Sequence, residues 1–527
     1  MLLNYAEIWR AVAEEFADRP AVVHDGNELS YRDLLDGAGR LAALLSAHGI
    51  RPGERVLIFS HNRPEHIVVL FAAYATGITP VPVNFRYRER ELGDLIADSG
   101  AVAVVFAASL APVVDRLPDG DIRLWLRIDD DERAGAARDR ELPFAAIEEY
   151  EPALPEHAPA DAELFLYTGG TTGRPKAVVW GVADLLDVQM YSIFGTIGRE
   201  NPTSLDGILD IARDPDTPVP ITMPLAPLMH GTALFTSMNT LVLGGTIVLL
   251  PSSRLDADAA VSLIRSRAVT RLIVAGDAIA APLADAVERS GERLDSVTSA
   301  LSSGMRFSDA VKARLHALGG LTITDLLAST EGGPYAVAVS SSADDLPARL
   351  RLFPGAVVLD DGDREVQETP GARGVLAFRG TLPKRYHGDA AKTADTFKLI
   401  GGARHVVAGD MVQIAADGTI DLLGRGAAVV NTGGEKVFPA EVEEALLSHP
   451  DVADAVVFGM PDERFGEAVT AVVASANAQL TSDELRAHCD TLIAGYKKPR
   501  VIDIRPSLER SPSGKIDMTR LKAELAA

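Results

Sequence analysis

The most informative stretch of this sequence is Leu166-Tyr167-Thr168-Gly169-Gly170-Thr171-Thr172-Gly173-Arg174-Pro175-Lys176. It lies between two short apolar runs, each of which predicts a β-strand. Its glycines let the backbone turn several N–H groups toward one point, its threonines add hydroxyl donors, and Lys176 adds a positive charge. The composition predicts a loop that holds a polyphosphate, and an ordinary hairpin turn is the alternative.

This loop is not a Walker A loop, which requires Gly-x-x-x-x-Gly-Lys-[Ser/Thr]. Counting from Gly169 or from Gly170 does not give that spacing, and Pro175 stands before the lysine. A P-loop kinase is therefore disfavoured, and the rest of the chain must decide between a phosphate loop and a plain turn.

On both sides of this loop, short β-branched runs alternate with helical patterns. One helix is predicted to begin after Ser30, with Asp33 three residues on, and a strand follows at 55–59. Such alternation predicts parallel sheets covered by helices. We expect two such sheets, over 20–106 and over 164–326.

The rest of the chain loses this alternation. Polar stretches at 129–140 and 199–218 are interpreted as surface insertions, and short alternating strands over 346–423 predict a small antiparallel sheet or distorted barrel. The predicted fold class is α/β, with a large N-terminal domain of two helix-flanked β-sheets plus a distorted β-barrel and a small mobile α+β C-terminal domain. The predicted bounds are 1–424 for the N-terminal domain, 425–428 for a hinge and 429–527 for the C-terminal domain.

Composition limits the function classes. The 527 residues are 47% hydrophobic and 24% charged, which is typical of a soluble globular enzyme. The net charge of −23 argues against binding to nucleic acid or to an anionic membrane. The single cysteine, Cys489, excludes an internal disulfide and a multi-thiolate metal site. Because no basic leader and no apolar run of about 20 residues is present, we expect no membrane span and a cytoplasmic location.

The loop at 166–176 resembles the signature of the adenylate-forming (AMP-binding) superfamily, which includes acyl-CoA synthetases, luciferases and the adenylation domains of peptide synthetases. The resemblance extends over nearly the whole chain. It implies that the loop holds the β- and γ-phosphates of ATP through Thr168, Gly169, Gly170, Thr171, Thr172 and Lys176.

A second motif, Ser329-Thr330-Glu331-Gly332-Gly333, resembles the family segment in which Thr contacts the α-phosphate and Glu binds Mg²⁺. A carboxylate suits a hard cation that also binds phosphates, although composition alone would allow Glu331 to be an exposed loop acid. The family usually carries an aromatic residue and glycine just before this motif. Leu327 and Ala328 stand there instead, so we expect a different adenine-stacking surface.

Two further motifs resemble the borders of the family's acyl pocket. Pro227-Leu228-Met229-His230-Gly231 matches the segment whose histidine lies near the reacting carboxylate, although a lone histidine is more often structural than catalytic. Ser302-Ser303-Gly304-Met305 matches the turn between adenine and acyl pocket. There Ser303 and Gly304 would be contacts, with Gly304 allowing close backbone approach; a plain strand-to-helix turn is the alternative.

The C-terminal quarter carries the remaining motifs. The resemblance implies that Asp410 binds the ribose hydroxyls, although Ala408 replaces the usual threonine before it. The hinge position is Ala427, where many members carry Asp or Lys, so the pivot is predicted to be backbone-borne. The resemblance also implies ATP contacts at Arg425 and Lys436, and coenzyme A contacts at Gly433 and Gly434.

Near the end, Arg510-Ser511-Pro512-Ser513-Gly514-Lys515-Ile516-Asp517 resembles the motif of the adenylation lysine. A primary ammonium on a flexible stem can stabilise charge that develops between a carboxylate and the α-phosphate. By composition alone, Lys515 would be a solvated turn lysine. The resemblance implies that Lys515, Thr330, Glu331 and His230 are the catalytic residues.

The function implied by the resemblance is ATP-dependent activation of a carboxylic acid to acyl-AMP, followed by transfer to coenzyme A with release of AMP and pyrophosphate. The stretches 431–436 and 270–282 resemble those of bacterial fatty-acid and steroid side-chain acyl-CoA synthetases, so we expect a hydrophobic medium-chain, long-chain or polycyclic acid. The cofactor implied is Mg²⁺, and a homodimer is considered. The alternatives are an acyl-AMP ligase that loads a carrier protein and a non-catalytic nucleotide- or acyl-binding protein.

Overall fold

The computed structural model of the chain describes residues 3–131, 136–168, 175–305, 307–425, 430–432, 435–437, 439–462, 466–493, 495–510 and 516–526. In these residues the α-helices are α1 (Tyr5–Glu15), α2 (Tyr31–Ala47), α3 (Pro64–Thr76), α4 (Glu89–Ser99), α5 (Ala111–Val114), α6 (Val182–Ile193), α7 (Leu205–Arg213), α8 (Gly231–Val242), α9 (Ala257–Ser266), α10 (Asp277–Ser290), α11 (Asp309–Leu318), α12 (Ala390–Thr396), α13 (Pro439–Leu447), α14 (Ser482–Asp490) and α15 (Met518–Ala526).

The strands of the described residues are β1 (Pro20–His24), β2 (Asn27–Ser30), β3 (Arg55–Phe59), β4 (Thr79–Pro82), β5 (Ala101–Ala107), β6 (Leu124–Ile128), β7 (Glu141–Pro143), β8 (Glu163–Thr168), β9 (Lys176–Gly181), β10 (Ile221–Pro224), β11 (Thr246–Leu249), β12 (Arg271–Val274), β13 (Ser299–Ser303), β14 (Thr322–Ser329), β15 (Gly332–Ser340), β16 (Leu350–Leu352), β17 (Ala356–Leu359), β18 (Arg373–Arg379), β19 (Arg385–Tyr386), β20 (Phe397–Ile400), β21 (Ala403–Ile414), β22 (Thr419–Arg425), β23 (Val430–Thr432), β24 (Glu435–Val437), β25 (Asp454–Asp462), β26 (Gly466–Ala474) and β27 (Val501–Arg505).

The chain packs as two compact units. The first unit comprises Met1–Ala348 and Arg379–Val406, and the second comprises Arg349–Phe378 and Val407–Ala527. The domain boundaries inferred from the sequence stay predictions.

The first unit contains the two helix-flanked sheets that the sequence predicts. One sheet has the strand order β4-β3-β5-β6-β7, and all of its pairs are parallel. The other runs β14-β13-β12-β10-β11-β1 in parallel, with β15 antiparallel to β14 and β2 antiparallel to β1. Their apolar strands are buried because helices cover them, as parallel sheets require.

A small third sheet, which the sequence did not predict as a separate sheet, also lies in the first unit. Its strand order is β19-β9-β8, and both pairs are antiparallel. Strands β8 and β9 flank residues 169–174, and Thr168 faces Lys176 across the pair. Strand β19 adds to β9 through Tyr386, which is in register with Val178.

The polar stretch at 199–218 contains a helix that its composition did not suggest. The Ser204 hydroxyl accepts the N–H of Gly207 and so caps α7. Helix α7 buries Ile208, Leu209 and Ala212 on one face. The segment is therefore partly packed and is not a purely irregular surface insertion, because one apolar helical face outweighs its proline and aspartate content.

The second unit confirms the predicted antiparallel sheet, whose strand order within this unit is β17-β18-β21-β22-β16. The path is open, and the described residues contain no closed barrel, so the distorted barrel is not found. The C-terminal part has the order β24-β23-β26-β25, with β27 parallel to β26, and buries Cys489 on α14. It is the predicted α+β unit.

No helix among the described residues is both long and apolar enough to cross a membrane.

Candidate active site

Glu331 projects from the turn between β14 and β15. These two strands pair antiparallel, with Ser329 opposite Gly332, so Thr330 and Glu331 form the connection. Gly332 has φ +153°, and a Cβ at this position would lie 2.7 Å from Cγ1 of Val406. Only glycine fits such a turn without displacing its neighbour, which explains the residue type after Glu331.

The small third sheet holds this turn through three side chains. The Tyr386 hydroxyl donates to Oε1 of Glu331 at 2.7 Å, and the Thr168 hydroxyl donates to the same oxygen at 3.3 Å. The indole Nε1 of Trp180 donates to the carbonyl oxygen of Thr330 at 2.9 Å. The structure therefore brings together the last described residue before the glycine-rich loop and the predicted Mg²⁺ carboxylate.

The Tyr386 hydroxyl is a donor at every working pH. Burial, followed by the negative charge of Glu331, raises the pKa of Tyr386 far above its ordinary value. The phenol stays protonated, so the hydrogen bond to Glu331 has a fixed direction.

Lys176, at the other end of the loop, forms an ion pair. Its Nζ lies 3.3 Å from Oδ2 of Asp389, whose Oδ1 accepts the backbone N–H of Lys392 at the start of α12. The N–H of Lys392 and then Lys176 lower the pKa of Asp389. Lys176 is thereby held at the strand end by a carboxylate that also caps a helix.

Glu331 suits a cation that is shared with a ligand. The described residues contain no group of three or more His, Cys, Asp or Glu side chains that could hold a metal ion by themselves. Mg²⁺ commonly takes one or two protein carboxylates and completes its shell with phosphate oxygens and water. A single carboxylate beside a threonine hydroxyl matches this mode of Mg²⁺ coordination.

His230 occupies the N-cap position of α8, but its side chain makes no cap hydrogen bond. The chain before it is fixed by Asn62. The Asn62 amide nitrogen donates to the carbonyls of Pro224 at 3.2 Å and Ala226 at 3.1 Å, and its oxygen accepts the N–H of Leu228 at 2.7 Å. Asn62 therefore sets the path of the segment that leads to His230.

Ser303 and Gly304 lie at the end of β13. Gly304 is exposed and has φ +80°, and a Cβ built on it would meet no atom within 4 Å. The preceding Ser302 hydroxyl accepts the N–H of Gly276 at 3.0 Å. The turn is therefore held by Ser302 on one side and has open space at Gly304, and its position beside a ligand stays a prediction.

In the second unit, Asp410 and Arg425 are directly opposite each other on β21 and β22. The two residues predicted to contact the ribose and phosphates are thus neighbours, although they are separated in sequence. Lys436 lies on β24, in register with Asn431. The other predicted site residues lie outside the described residues: Gly169, Gly170, Thr171, Thr172, Ala427, Gly433, Gly434 and Lys515.

Sequence reasoning missed four residues of this site, namely Asn62, Trp180, Tyr386 and Asp389. Each acts through a partner distant in sequence, and none belongs to a motif quoted above. The only local signal is the polar run 381–389 with a lone tyrosine, which does not indicate a partner. Tertiary pairing of β19 with β9 decides the position of Tyr386.

Comparisons with known proteins identify the family. The model of the AMP-binding enzyme family matches residues 9–385, and that of the AMP-binding enzyme C-terminal domain matches residues 441–515. The chain belongs to the AMP-binding enzyme family.

Similar curated proteins are acyl-CoA ligases. One is the medium/long-chain-fatty-acid–CoA/3-oxocholest-4-en-26-oate–CoA ligase of Mycolicibacterium smegmatis, 36% identical over 98% of this chain and 95% of the relative. Another is the medium-chain acyl-CoA ligase Mig of Mycobacterium avium, 37% identical over 96% of each chain. The 3-oxocholest-4-en-26-oate–CoA ligase of Rhodococcus rhodochrous is 33% identical over 98% of this chain and 95% of its own.

Solved structures confirm the fold. A fatty acyl CoA synthetase of Mycobacterium tuberculosis has a TM-score of 0.71 at 23% identity and covers 99% of this chain and 98% of its own. The amide bond synthetase McbA of Marinactinospora thermotolerans has a TM-score of 0.79 at 22% identity and covers 99% of this chain and 100% of its own.

Proposed function

We propose that this enzyme is an AMP-forming acid–thiol ligase that converts a hydrophobic carboxylic acid to its acyl-CoA. In the first step the carboxylate attacks the α-phosphorus of ATP, the bond to the β-phosphate breaks, and pyrophosphate leaves. In the second step the thiol sulfur of coenzyme A attacks the acyl carbon, AMP leaves, and the thiol proton passes to solvent. No protein nucleophile is required.

The observation that carries this proposal is the contact of Thr168 with Glu331. This contact supports a triphosphate site at which the glycine-rich loop and Glu331 bind the same ligand. Thr168, the first residue of the loop, touches Glu331, and a carboxylate is the usual protein ligand of a phosphate-bound cation. Mg²⁺ bound there would neutralise phosphate charge and so favour attack by an anionic carboxylate.

The remaining roles are those that the family resemblance implies, and the chemistry of the side chains suits them. Thr330 would donate to the α-phosphate, and Lys515 would stabilise the charge that develops on it during attack. Asp410 would accept both ribose hydroxyls, with Arg425 opposite it on the next strand contacting ribose or phosphate. Such positioning supplies much of the catalysis in reactions at phosphorus.

The proposed acid is a medium-chain or long-chain fatty acid or a polycyclic side-chain acid. The names of the relatives from Mycolicibacterium smegmatis and Rhodococcus rhodochrous support both kinds. The start of α8 is rich in small and apolar residues, with Ala233 and Leu234 buried, which suits an apolar pocket near His230.

A basic pocket supports coenzyme A as the thiol. An open pocket of about 480 Å³ in the first unit is lined by Arg88, Glu89, Arg90, Pro112, Val113 and Arg116. No ion pair joins any of its three arginine side chains to another described residue. On a chain of net charge −23, such a local excess of guanidinium groups suits the phosphates of a nucleotide.

Replacing Lys515 with alanine tests the first step. We expect loss of acid-dependent exchange between pyrophosphate and ATP, while thioester formation from synthetic acyl-AMP persists, because only the first step develops charge on the α-phosphate. Lys522→Ala, in the nearby helix α15, should change neither step. Undiminished exchange by the Lys515 variant would contradict the assigned role.

One assay of thioester formation by the unmodified enzyme tests both the acyl acceptor and the acid. The acids are fatty acids of increasing length and a steroid side-chain acid, and each is offered with free coenzyme A or with a phosphopantetheinylated carrier protein. We expect thioester product with coenzyme A. Product with the carrier alone would favour the acyl-AMP ligase alternative.

The cytoplasmic location and the homodimer are also proposals. Cell fractionation would check the location, and sedimentation would check the homodimer.

A further inference from the structure

The carboxylate of Glu331 has an asymmetric environment. The hydroxyls of Tyr386 and Thr168 both donate to Oε1, at 2.7 Å and 3.3 Å, and no hydrogen bond joins Oε2 to another described residue. A carboxylate oxygen that already accepts two hydroxyl donors has fewer lone-pair directions left for another partner. Oε2 is therefore the oxygen left available to a ligand.

Tyr386 is itself held firmly. The residue is 3% exposed, and its ring centroid lies 4.4 Å from Lys392 Nζ and 5.9 Å from the centroid of the Phe397 ring. Its backbone N–H donates to the Thr393 hydroxyl at 3.0 Å, and strand β19 pairs with β9. The third sheet thus fixes the position of the hydroxyl without help from a bound ligand, and this is what preorganisation requires.

We propose that Tyr386 is a positioning residue that holds Oε1 of Glu331, so that Oε2 faces the divalent cation of the bound nucleotide. This inference rests on the proposed function, in which Glu331 binds that cation. Thr168 contributes the second and longer hydrogen bond to Oε1, and it links this carboxylate to the beginning of the phosphate loop.

Removing the Tyr386 hydroxyl leaves Glu331 free to rotate and to lose part of its cation affinity. A hydrogen bond to a charged group corresponds to roughly ten- to a hundredfold in an equilibrium constant. For Tyr386→Phe we expect Mn²⁺ binding, measured by the free-ion electron paramagnetic resonance signal with a non-hydrolysable ATP analogue, to weaken by roughly tenfold. The Mg²⁺ concentration for half-maximal pyrophosphate exchange should rise in parallel, while thioester formation from acyl-AMP should not change.

The matched control is Tyr74→Phe, which removes another buried tyrosine hydroxyl, placed 3.8 Å from the sulfur of Met238. It should leave Mn²⁺ binding unchanged even if the melting temperature falls. Thr168→Val removes the longer hydrogen bond from the same oxygen and should weaken Mn²⁺ binding by less. This variant keeps the inference testable if Tyr386→Phe does not fold.

Glu331→Gln distinguishes a failure of the positioning role of Tyr386 from a failure of the metal role of Glu331. If Glu331→Gln weakens Mn²⁺ binding and neither Tyr386→Phe nor Thr168→Val does, the positioning role is wrong and the metal role stands. If Glu331→Gln binds Mn²⁺ as the unmodified enzyme does, the metal role in the proposed function is wrong. Support requires weakening in Glu331→Gln and Tyr386→Phe, with no added loss when the two are combined, because the hydroxyl acts only through the carboxylate.

Discussion

Replacing Asn62 with alanine should loosen the segment that leads to His230. The change removes three hydrogen bonds, at 3.2, 3.1 and 2.7 Å, and leaves two carbonyls and one N–H without their partner. Since each such bond contributes about 0.5–1.5 kcal/mol net, we expect a loss of about 2–4 kcal/mol in local stability. The backbone N–H of Leu228 reports this directly, because its acceptor is Asn62 itself.

The assay is hydrogen exchange of the peptide that covers 224–234. A loss of about 2–4 kcal/mol corresponds to roughly thirty- to several-hundredfold faster exchange of that amide when it exchanges by local opening. The KM for the carboxylic acid should rise while the KM for ATP stays the same, since the segment leads to His230 and not to the phosphate loop. Asn27→Ala, which removes one exposed bond of 3.4 Å, is the control and should alter neither value. Unchanged exchange at Leu228 in the Asn62 variant would refute the reasoning.

Two other changes test the site and the core. Gly304→Ala and Gly26→Ala should each cost about 1 kcal/mol, measured by urea unfolding, because both glycines have similar positive φ, +80° and +78°, and open space around a Cβ. Only Gly304→Ala should lower pyrophosphate exchange, by roughly tenfold or more, and equal activities would contradict a ligand at Gly304. Burial lowers the pKa of His66 from 6.5 to about 4. Between pH 6.5 and about pH 4, His66 is therefore protonated in the unfolded chain and neutral in the folded chain. Stability should therefore be lost across that window, by about 2 kcal/mol at pH 5, and His66→Leu should remove this part of the pH dependence of the urea midpoint; an unchanged dependence would contradict the burial argument.

Much of the local structure could be predicted from the sequence because local chemistry decides it. Ser30 and Asp33 form a capping box at the start of α2, as their spacing indicates. Strand β3 has the predicted bounds, since a β-branched run between turn residues has few other ways to bury its side chains. The order of motifs also led to the correct family, which the family comparison confirms.

The contacts within the site could not be predicted in the same way. Glu331 meets Tyr386 only because β19 joins β9 in a separate small sheet, and a short strand of two residues leaves no periodic pattern. The bonds of Asn62 depend on the packing of the segment before α3 against a segment that follows β10, 162 to 166 residues away. The distorted barrel expected over 346–423 is not found among the described residues, because alternating strands indicate a sheet but do not determine whether its ends meet.

The central claim is that the acid is activated as an acyl-AMP and then transferred to coenzyme A. The most direct test uses a fatty acid labelled with ¹⁸O in its carboxyl group, with ATP, Mg²⁺ and coenzyme A, and mass analysis of the products. Attack of the carboxylate on the α-phosphorus followed by thiol attack on the acyl carbon leaves one carboxyl oxygen on AMP. We predict AMP that carries one ¹⁸O atom together with unlabelled pyrophosphate. Label in inorganic phosphate, with ADP as the nucleotide product, would contradict the account.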